Sequence, residues 1–425
     1  MMKKRKKILV MTYAVSPYRG SEYSVAWNYI TFMSKYHDLT VLYGMSDNHM
    51  GDNESMQRWL LENELPHVRF VYVTPSKFAN WLNWFNRHDI LVYTFYFAFQ
   101  IWQKCAYKMA QKLMQSEHFD LIHNVGPIGY REPGYLWKLG LPYVWGPIGG
   151  ANNSPESLMK YLPVMSKLKH RFRTFANSIQ LRYNPRLTRA LKATDALFTA
   201  TSENQQAFKK LYKKNSICIP ENCINGNIHL DTSKFENIDK YRLLIVGRID
   251  PGKNIKLFLD ALTLIMHKQQ VCVDIVGDGP LKQSLSEYAQ QKEIDNLISW
   301  HGQLPRDKVL QMYDMAHLHI ITSISEGNPT TIWEAMVCGT PTLSFDHCGM
   351  HDTLKGGAGI LIPISPTYDE NVERIANAID YVVGNATTMR KLADNTVERA
   401  KQYTWERRCN FWNDVYEQLL NERNK

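Results

Sequence analysis

Two stretches in the second half of this sequence hold residues whose types and spacing can do chemistry on an anion. The first, LLIVGRIDPGKNIK at 243–256, runs from an apolar segment into Gly247, Arg248 and Lys253. Positions 247–253 fit the G-x-x-x-x-G-K pattern of a phosphate cradle. However, Pro251 has no N–H, and Asn254 stands where a hydroxyl would hold magnesium. What remains is a strand, a tight turn and a helix opening near Asn254, with two cations at its mouth. The second stretch is SISEGNPTTIWEAMVCGTPTLSF at 323–345. Asn328 predicts an N-cap, Pro329 a first helical residue and Gly339 a stop, so a helix is expected over about 329–338. Its first turn, with Thr330 and Thr331, aims N–H groups at whatever lies above, and an anion is the natural occupant. Glu326 precedes the cap and Glu334 lies inside the helix. Two carboxylates beside an anion site suit a phosphorylated polyol, whose hydroxyls they accept. Taken alone, the same stretch also reads as a capped helix with a surface Glu.

These residues need a scaffold, and the pattern of the chain supplies one. Short β-branched runs alternate with helical patterns at 8–14, 39–44, 68–73, 120–126, 142–146, 195–201 and 216–221. After a polar stretch, a second series follows at 241–247, 271–277, 298–302, 318–323, 341–345 and 359–363. Such alternation predicts βαβ units and parallel sheets, with loops gathered at the carboxyl ends of the strands. The chain is therefore read as α/β. The expected domains are 1–224, a linker at 225–240, a second domain at 241–404, and a last helix within 405–425 that packs back on the first. A length of 425 residues with 44% hydrophobic and 21% charged residues supports two globular domains rather than a disordered or fibrous chain.

The combination of Gly247, Arg248 and Lys253 after one strand, VGDGP at 276–280 after the next, and the Glu326 to Glu334 stretch resembles the retaining glycosyltransferases of family 4. That resemblance covers nearly all of 241–405. It implies the GT-B fold, two Rossmann-like doubly wound domains facing across a cleft. It also implies that Gly247, Arg248 and Lys253 bind a donor diphosphate. Glu326, Gly327, Asn328, Pro329, Thr330, Thr331 and Glu334 would hold the sugar and ribose, with Ala335, Met336, Gly339 and Pro341 completing the motif. Catalysis would rest on Glu326, Arg248 and Lys253. In the first half the resemblance is looser. SPYRGSEYSVAW at 16–27 is similar to the family's glycine loop, which places Gly20 near donor phosphate and Arg19 and Glu22 on the acceptor side. Many relatives carry a His after the strand that here reads PYVWGPIGG. This chain has Gly149 and Gly150 there, and His123 is a poor substitute, since a lone strand-end His is more often structural. The implied function is transfer of a sugar from a UDP- or GDP-sugar to a glycan or lipid-linked acceptor in cell-surface polysaccharide synthesis. A GT-B epimerase or phosphorylase, or an idle membrane scaffold of the same fold, stands as the alternative. No D-x-D occurs, so the carboxylate pair that commonly holds a divalent ion is absent and no metal cofactor is expected.

Charge and aromatic patterning point to location. The net charge is +9, and between Glu156 and Asp195 no acidic residue occurs among nine Lys and Arg. Interleaved apolar residues make this a basic amphipathic segment, suited to anionic headgroups or to a solvated face. Nucleic acid would leave the carboxylate pair unexplained, and is not expected as a partner. The aromatic stretch 78–114 is too short in its apolar run, 90–99, to cross a bilayer, so it is either a buried or an interfacial helix. Seven scattered cysteines without metal spacing favour free thiols. The basic start reads as leading into a first buried strand rather than as a signal peptide. A cytoplasmic enzyme, peripheral at the inner face of an anionic membrane, is the resulting expectation.

Overall fold

The computed structural model describes residues 4–20, 22–88, 90–91, 93–236 and 238–423. Ser21 of the glycine loop, Asp89 and Val92 of the aromatic stretch and Asn237 of the linker lie outside the described residues. All thirteen β-branched runs form strands. β1 (Lys7–Met11), β2 (Asp38–Tyr43), β3 (Val68–Tyr72), β4 (Leu121–Asn124), β5 (Tyr143–Ile148), β6 (Ala196–Thr199) and β7 (Ile217–Cys218) build one sheet. β8 (Tyr241–Val246), β9 (Val271–Val276), β10 (Ile298–Gly302), β11 (Leu318–Ile321), β12 (Thr342–Phe345) and β13 (Gly359–Ile362) build another. Their orders are β3-β2-β1-β4-β5-β6-β7 and β10-β9-β8-β11-β12-β13. Every pairing is parallel. In each sheet the winding reverses beside the first strand, between β1 and β4 and between β8 and β11. The loops leaving those strands diverge there, which opens a crevice at their carboxyl ends.

The chain divides into two compact units. One comprises Met1–Ala151, Ile179–Glu221 and Trp405–Lys425, the other Asn152–Ser178 and Asn222–Thr404. The expected first domain, 1–224, therefore gives up 152–178 and 222–224, and the expected linker 225–240 falls within the second unit. The physical reason is hydrophobic: Leu158, Met159 and Leu162 are buried in the same cluster as Leu243, Phe258 and Ile375, and the Asn254 amide donates to the Leu158 carbonyl at 3.0 Å. The last helix, Trp405–Arg423, belongs to the first unit. It buries Trp405, Cys409, Trp412 and Tyr416, with Trp405 stacked on Phe32 at 5.4 Å.

The aromatic stretch forms two helices, Lys77–Arg87 and Thr94–Ser116, rather than one. Ser76 caps the first by accepting the Ala79 amide. The basic segment carries the helix Val164–Tyr183. Its Val164, Met165, Leu168, Phe172, Phe175 and Ile179 are exposed rather than packed. Among the described residues, no helix is long and apolar enough to cross a membrane.

Candidate functional site

The second unit gathers its chemistry at the reversal between β8 and β11. Gly247 leaves β8 at φ 144°, a conformation that favours glycine. Asp250 then organises the turn, its carboxylate accepting the Gly252 and Lys253 amides at 2.9 and 3.2 Å. The two N–H groups that a P-loop would offer to phosphate are thus already used. What the turn presents is side chains. Arg248 is 73% exposed and only loosely tied to Asp250, at 3.8 Å. Lys253 turns inward, and its ammonium meets the Glu326 carboxylate at 2.5 Å. The Ser323 hydroxyl donates to the same carboxylate oxygen at 2.5 Å. Two residues from separate loops, joined beforehand only by the family resemblance, stand in direct contact.

The Glu326 loop is held from both sides. The Ile324 amide donates to the Gly252 carbonyl at 2.9 Å, and Thr322 donates to the carbonyls of Lys253 and Asn254. On the other side the Gly349 amide donates to the Glu326 carbonyl at 2.9 Å. A Cβ at Gly349 would come within 2.1 Å of the Gly327 carbonyl oxygen, so only glycine admits this approach. Gly277, after β9 at φ 137°, makes a similar close approach to Gly247, where a Cβ would lie 1.9 Å from the carbonyl oxygen. Asp250, Ser323, Gly277 and Gly349 were not among the expected site residues. A glycine after each strand end, as in VGDGP and DHCGM, is the signal that marks two of them.

The helix following this loop is Thr330–Val337, with Pro329 rather than Asn328 at its N-cap and no side-chain cap. Asn328 fails as a cap because its amide oxygen accepts the Trp333 indole N–H at 2.9 Å. The first-turn amides at Thr330 and Thr331 are therefore not taken by a capping side chain. The Thr331 hydroxyl is buried and has no hydrogen-bond partner among the described residues, so it can donate to a ligand. Glu334 sits three residues further on and accepts no hydrogen bond among the described residues. Burial raises its carboxyl above the usual range, and Arg306 opposes that shift. A site of this kind offers two cations, free helix amides and two carboxylates, a set that holds a diphosphate joined to hydroxylated rings.

In the first unit the acceptor-side expectations separate. Arg19 donates to Asn48 at 2.8 Å, Glu22 opens the helix Glu22–Met33, and a Cβ on Gly20 would meet nothing within 4 Å. Gly149 pairs with Gly129 in a lone bridge, and Gly150 adopts φ 90° beside Arg131. His123 is corrected to a structural role. It is fully buried, and its Nε2 lies 3.0 Å from the Gly146 carbonyl. Its Nδ1 faces the Tyr416 and Tyr29 hydroxyls at 2.6 and 3.0 Å. A carbonyl at Nε2 requires a donor there, so Nδ1 accepts from tyrosine, and burial lowers the ring's pKa to about 3. Such an imidazole is neutral and closed to substrate. Gly146, whose carbonyl faces the ring, admits no side chain itself, since a Cβ there would lie 2.3 Å from the Phe198 carbonyl oxygen.

Comparison of the whole chain with solved structures finds the same architecture. The apo lipopolysaccharide outer core galactosyltransferase WaaB matches with a TM-score of 0.65 at 17% identity, over 97% of this chain and 99% of that one. Anabaena HepE in complex with UDP and glucose matches with a TM-score of 0.61 at 15% identity, over 97% and 100%. The fold is GT-B. Residues 230–403 of this GT-B chain match the family model for glycosyl transferases group 1. Among curated relatives, the GtfA subunit of the UDP-N-acetylglucosamine–peptide N-acetylglucosaminyltransferase of Streptococcus parasanguinis is 26% identical over 201 residues, 45% of this chain and 39% of that protein. In two further relatives, uncharacterized glycosyltransferases of Methanocaldococcus jannaschii and Haemophilus influenzae, the match covers 42% and 62% of their length. The chain thus spans roughly two fifths to three fifths of these relatives. Every strand-end residue described for the second GT-B unit, from Gly247 to Gly349, lies inside the family match.

Proposed function

We propose that this protein is a retaining glycosyltransferase of the family 4 type. It moves a sugar from a UDP- or GDP-sugar to a glycan or lipid-linked acceptor in cell-surface polysaccharide synthesis. The observation that carries the reading is the contact of Lys253 with Glu326, set beside uncapped helix amides inside the glycosyl transferases group 1 match. In the reaction, the bond between the anomeric carbon and the diphosphate oxygen breaks. The acceptor oxygen bonds to that carbon on the same face, and the acceptor proton passes to the departing phosphate oxygen. Charge growing on the diphosphate is met by Arg248, Lys253 and the amides of Thr330 and Thr331. Gly247 lets the phosphate approach the backbone, and Gly20 is carried as a further donor-binding residue on the strength of the family's glycine loop alone. Glu326 positions the sugar rather than attacking it, and Glu334 accepts ribose hydroxyls. Gly327, Asn328 and Pro329 shape the loop between the two carboxylates.

The test is native mass spectrometry against UDP-, GDP- and ADP-sugars, followed by turnover of the donor that binds. We expect one nucleotide sugar to bind and its turnover to persist in excess EDTA, because side-chain cations and helix amides do a metal's work. Activity lost in EDTA and restored by Mn²⁺ would place a metal on the diphosphate. Binding of none of the donors would remove the transferase reading.

The proposed setting is the cytoplasmic face of an anionic membrane, with peripheral contact. The exposed apolar positions 168, 172, 175 and 179 recur at helical spacing beside Lys167, Lys169, Arg171 and Arg173. Reversing those four cations to Glu should lower partitioning onto anionic vesicles at least about 10²-fold, since each cation near such a surface contributes roughly 1 kcal/mol. Vesicle sedimentation at two salt concentrations measures this, and unchanged binding would end the proposal.

A further inference from the structure

The first unit has a cavity that the donor chemistry leaves unused. It lies where that sheet reverses, between the loops leaving β1 and β4, and its volume is about 400 Å³. Tyr13 and Ala14 line it from the first loop, and Pro127, Gly129, Arg131 and Glu132 from the second. Phe95, Tyr96 and Phe99 form an aromatic wall, while Asn48, Asn83 and Asn86 contribute amides.

Three features show that the cavity is built for polar contacts. Tyr13 is 5% exposed and packs edge-on against Phe99 at 4.5 Å, yet its hydroxyl has no partner among the described residues. A buried donor left unpaired costs free energy, and a ligand hydroxyl relieves it. Burial raises the phenol's pKa, so it remains a donor. Asn83 is 2% exposed and accepts the Asn86 amide at 3.2 Å, and Arg19 fixes Asn48. Glu132 is 7% exposed, and its charge is answered by Gln100 at 3.2 Å and Arg186 at 3.3 Å.

The charge balance selects the ligand. Arg186 is committed to Glu132, and Arg131 donates to Gln180 at 2.5 Å while lying over Tyr130. Glu22 adds a carboxylate to the lining. With Arg186 paired to Glu132, the lining is left with one guanidinium, Arg131, against one carboxylate, Glu22, beside the His49 ring, so a phosphate or acidic sugar would find no excess of positive charge here. A neutral sugar ring finds amides and a phenol for its hydroxyls and aromatic rings for its C–H faces.

The rim is apolar. Tyr96 both lines the cavity and reaches solvent, next to exposed Tyr93 and Phe97. The helix that contributes Asn83 and Asn86 also exposes Phe78, Trp81 and Trp84. We propose that this cavity is the acceptor site and that it takes a neutral terminal sugar whose lipid aglycone lies along this aromatic rim. The proposal rests on the glycosyltransferase reading above and names the acceptor class for it.

The test uses saturation-transfer NMR on the full chain, with octyl and methyl β-glucosides and β-galactosides below micellar concentration, methyl β-glucuronide, and UDP and GDP as separate probes. We expect transfer to the ring protons of at least one octyl glycoside, with its methyl counterpart at least about tenfold weaker because the alkyl chain loses its burial, and none to the glucuronide. Tyr13→Phe should weaken the octyl glycoside about three- to tenfold, the value of one hydrogen bond, with nucleotide binding unchanged. Tyr96→Ala, at a partly exposed position, should erase the octyl-over-methyl preference. Nucleotide binding without any neutral glycoside, equal binding of the glucuronide, or no response in either variant would overturn the acceptor proposal while leaving the donor reading intact. Glycoside binding without nucleotide would keep the cavity and remove the transferase reading, and binding of neither probe would remove both.

Discussion

Arg248→Ala and Lys253→Ala should each lower kcat on the order of 10²–10³, comparable to deleting one oxyanion donor, with a smaller rise in donor KM. The split follows from timing. Charge on the diphosphate grows as it leaves, so cations that meet it act more on the transition state than on the bound donor. The two variants should nevertheless differ. Arg248 is exposed and barely tethered, so its loss leaves its neighbours in place. Lys253 neutralises Glu326, whose side chain is only 18% exposed. Its removal leaves that carboxylate with the Ser323 hydroxyl alone, and the loop that places the sugar should loosen. A Lys253→Ala, Glu326→Gln double variant should therefore fall short of the product of the single losses, the mark of a coupled pair. Glu326→Gln alone should lower kcat through sugar placement, with the product's anomeric configuration retained. Glu334→Gln, removing a grip made in both states, should chiefly raise donor KM. Steady-state kinetics on one donor, with the anomer read by NMR, decides this. An inverted product, or four variants with ordinary kcat and KM, would sink the assignment of both loops.

Much of this site could be read in the chain because its signals are local. Each strand is a short run of β-branched residues ending in glycine or a turn, and local pattern suffices to find it. Gly247, Arg248, Lys253 and Glu326 follow such runs, so their place at strand ends came with the strands. What could not be read depends on partners distant in sequence or on competition between neighbours. His123 looks like a strand-end imidazole until Tyr416, 293 positions away, closes on it. Asn328 has the composition of a cap, but Trp333 takes its oxygen first. Residues 152–178 precede the polar linker yet bury Leu158 and Leu162 in the second unit. The cavity beside Tyr13 draws its walls from six separated stretches of chain, and no spacing rule joins them.

Gly349 tests how far catalysis depends on backbone placement rather than on charged side chains. It is the second residue of the helix Cys348–Leu354, and its amide holds the Glu326 carbonyl. In Gly349→Ala the new methyl would lie 2.1 Å from the Gly327 carbonyl oxygen and 3.0 Å from that of Glu326. Both obstacles are backbone, so a rotamer change cannot relieve the clash. Either the helix or the loop has to retreat. The loop carries Glu326 on a chain tied to Gly252, so a retreat of about 1 Å displaces the carboxylate from the sugar, and a misplacement of that size costs about 10² in rate. Overpacking should add a stability loss of about 1–3 kcal/mol, read as a lowered melting temperature. Gly20→Ala is the counterpart. Nothing lies within 4 Å of its would-be Cβ, so its melting temperature should not move, while donor turnover should fall if phosphate approaches the backbone there. A Gly349→Ala enzyme with undiminished kcat would show that the Glu326 loop need not be held where the structure places it, and the sugar-positioning role of Glu326 would fall with it.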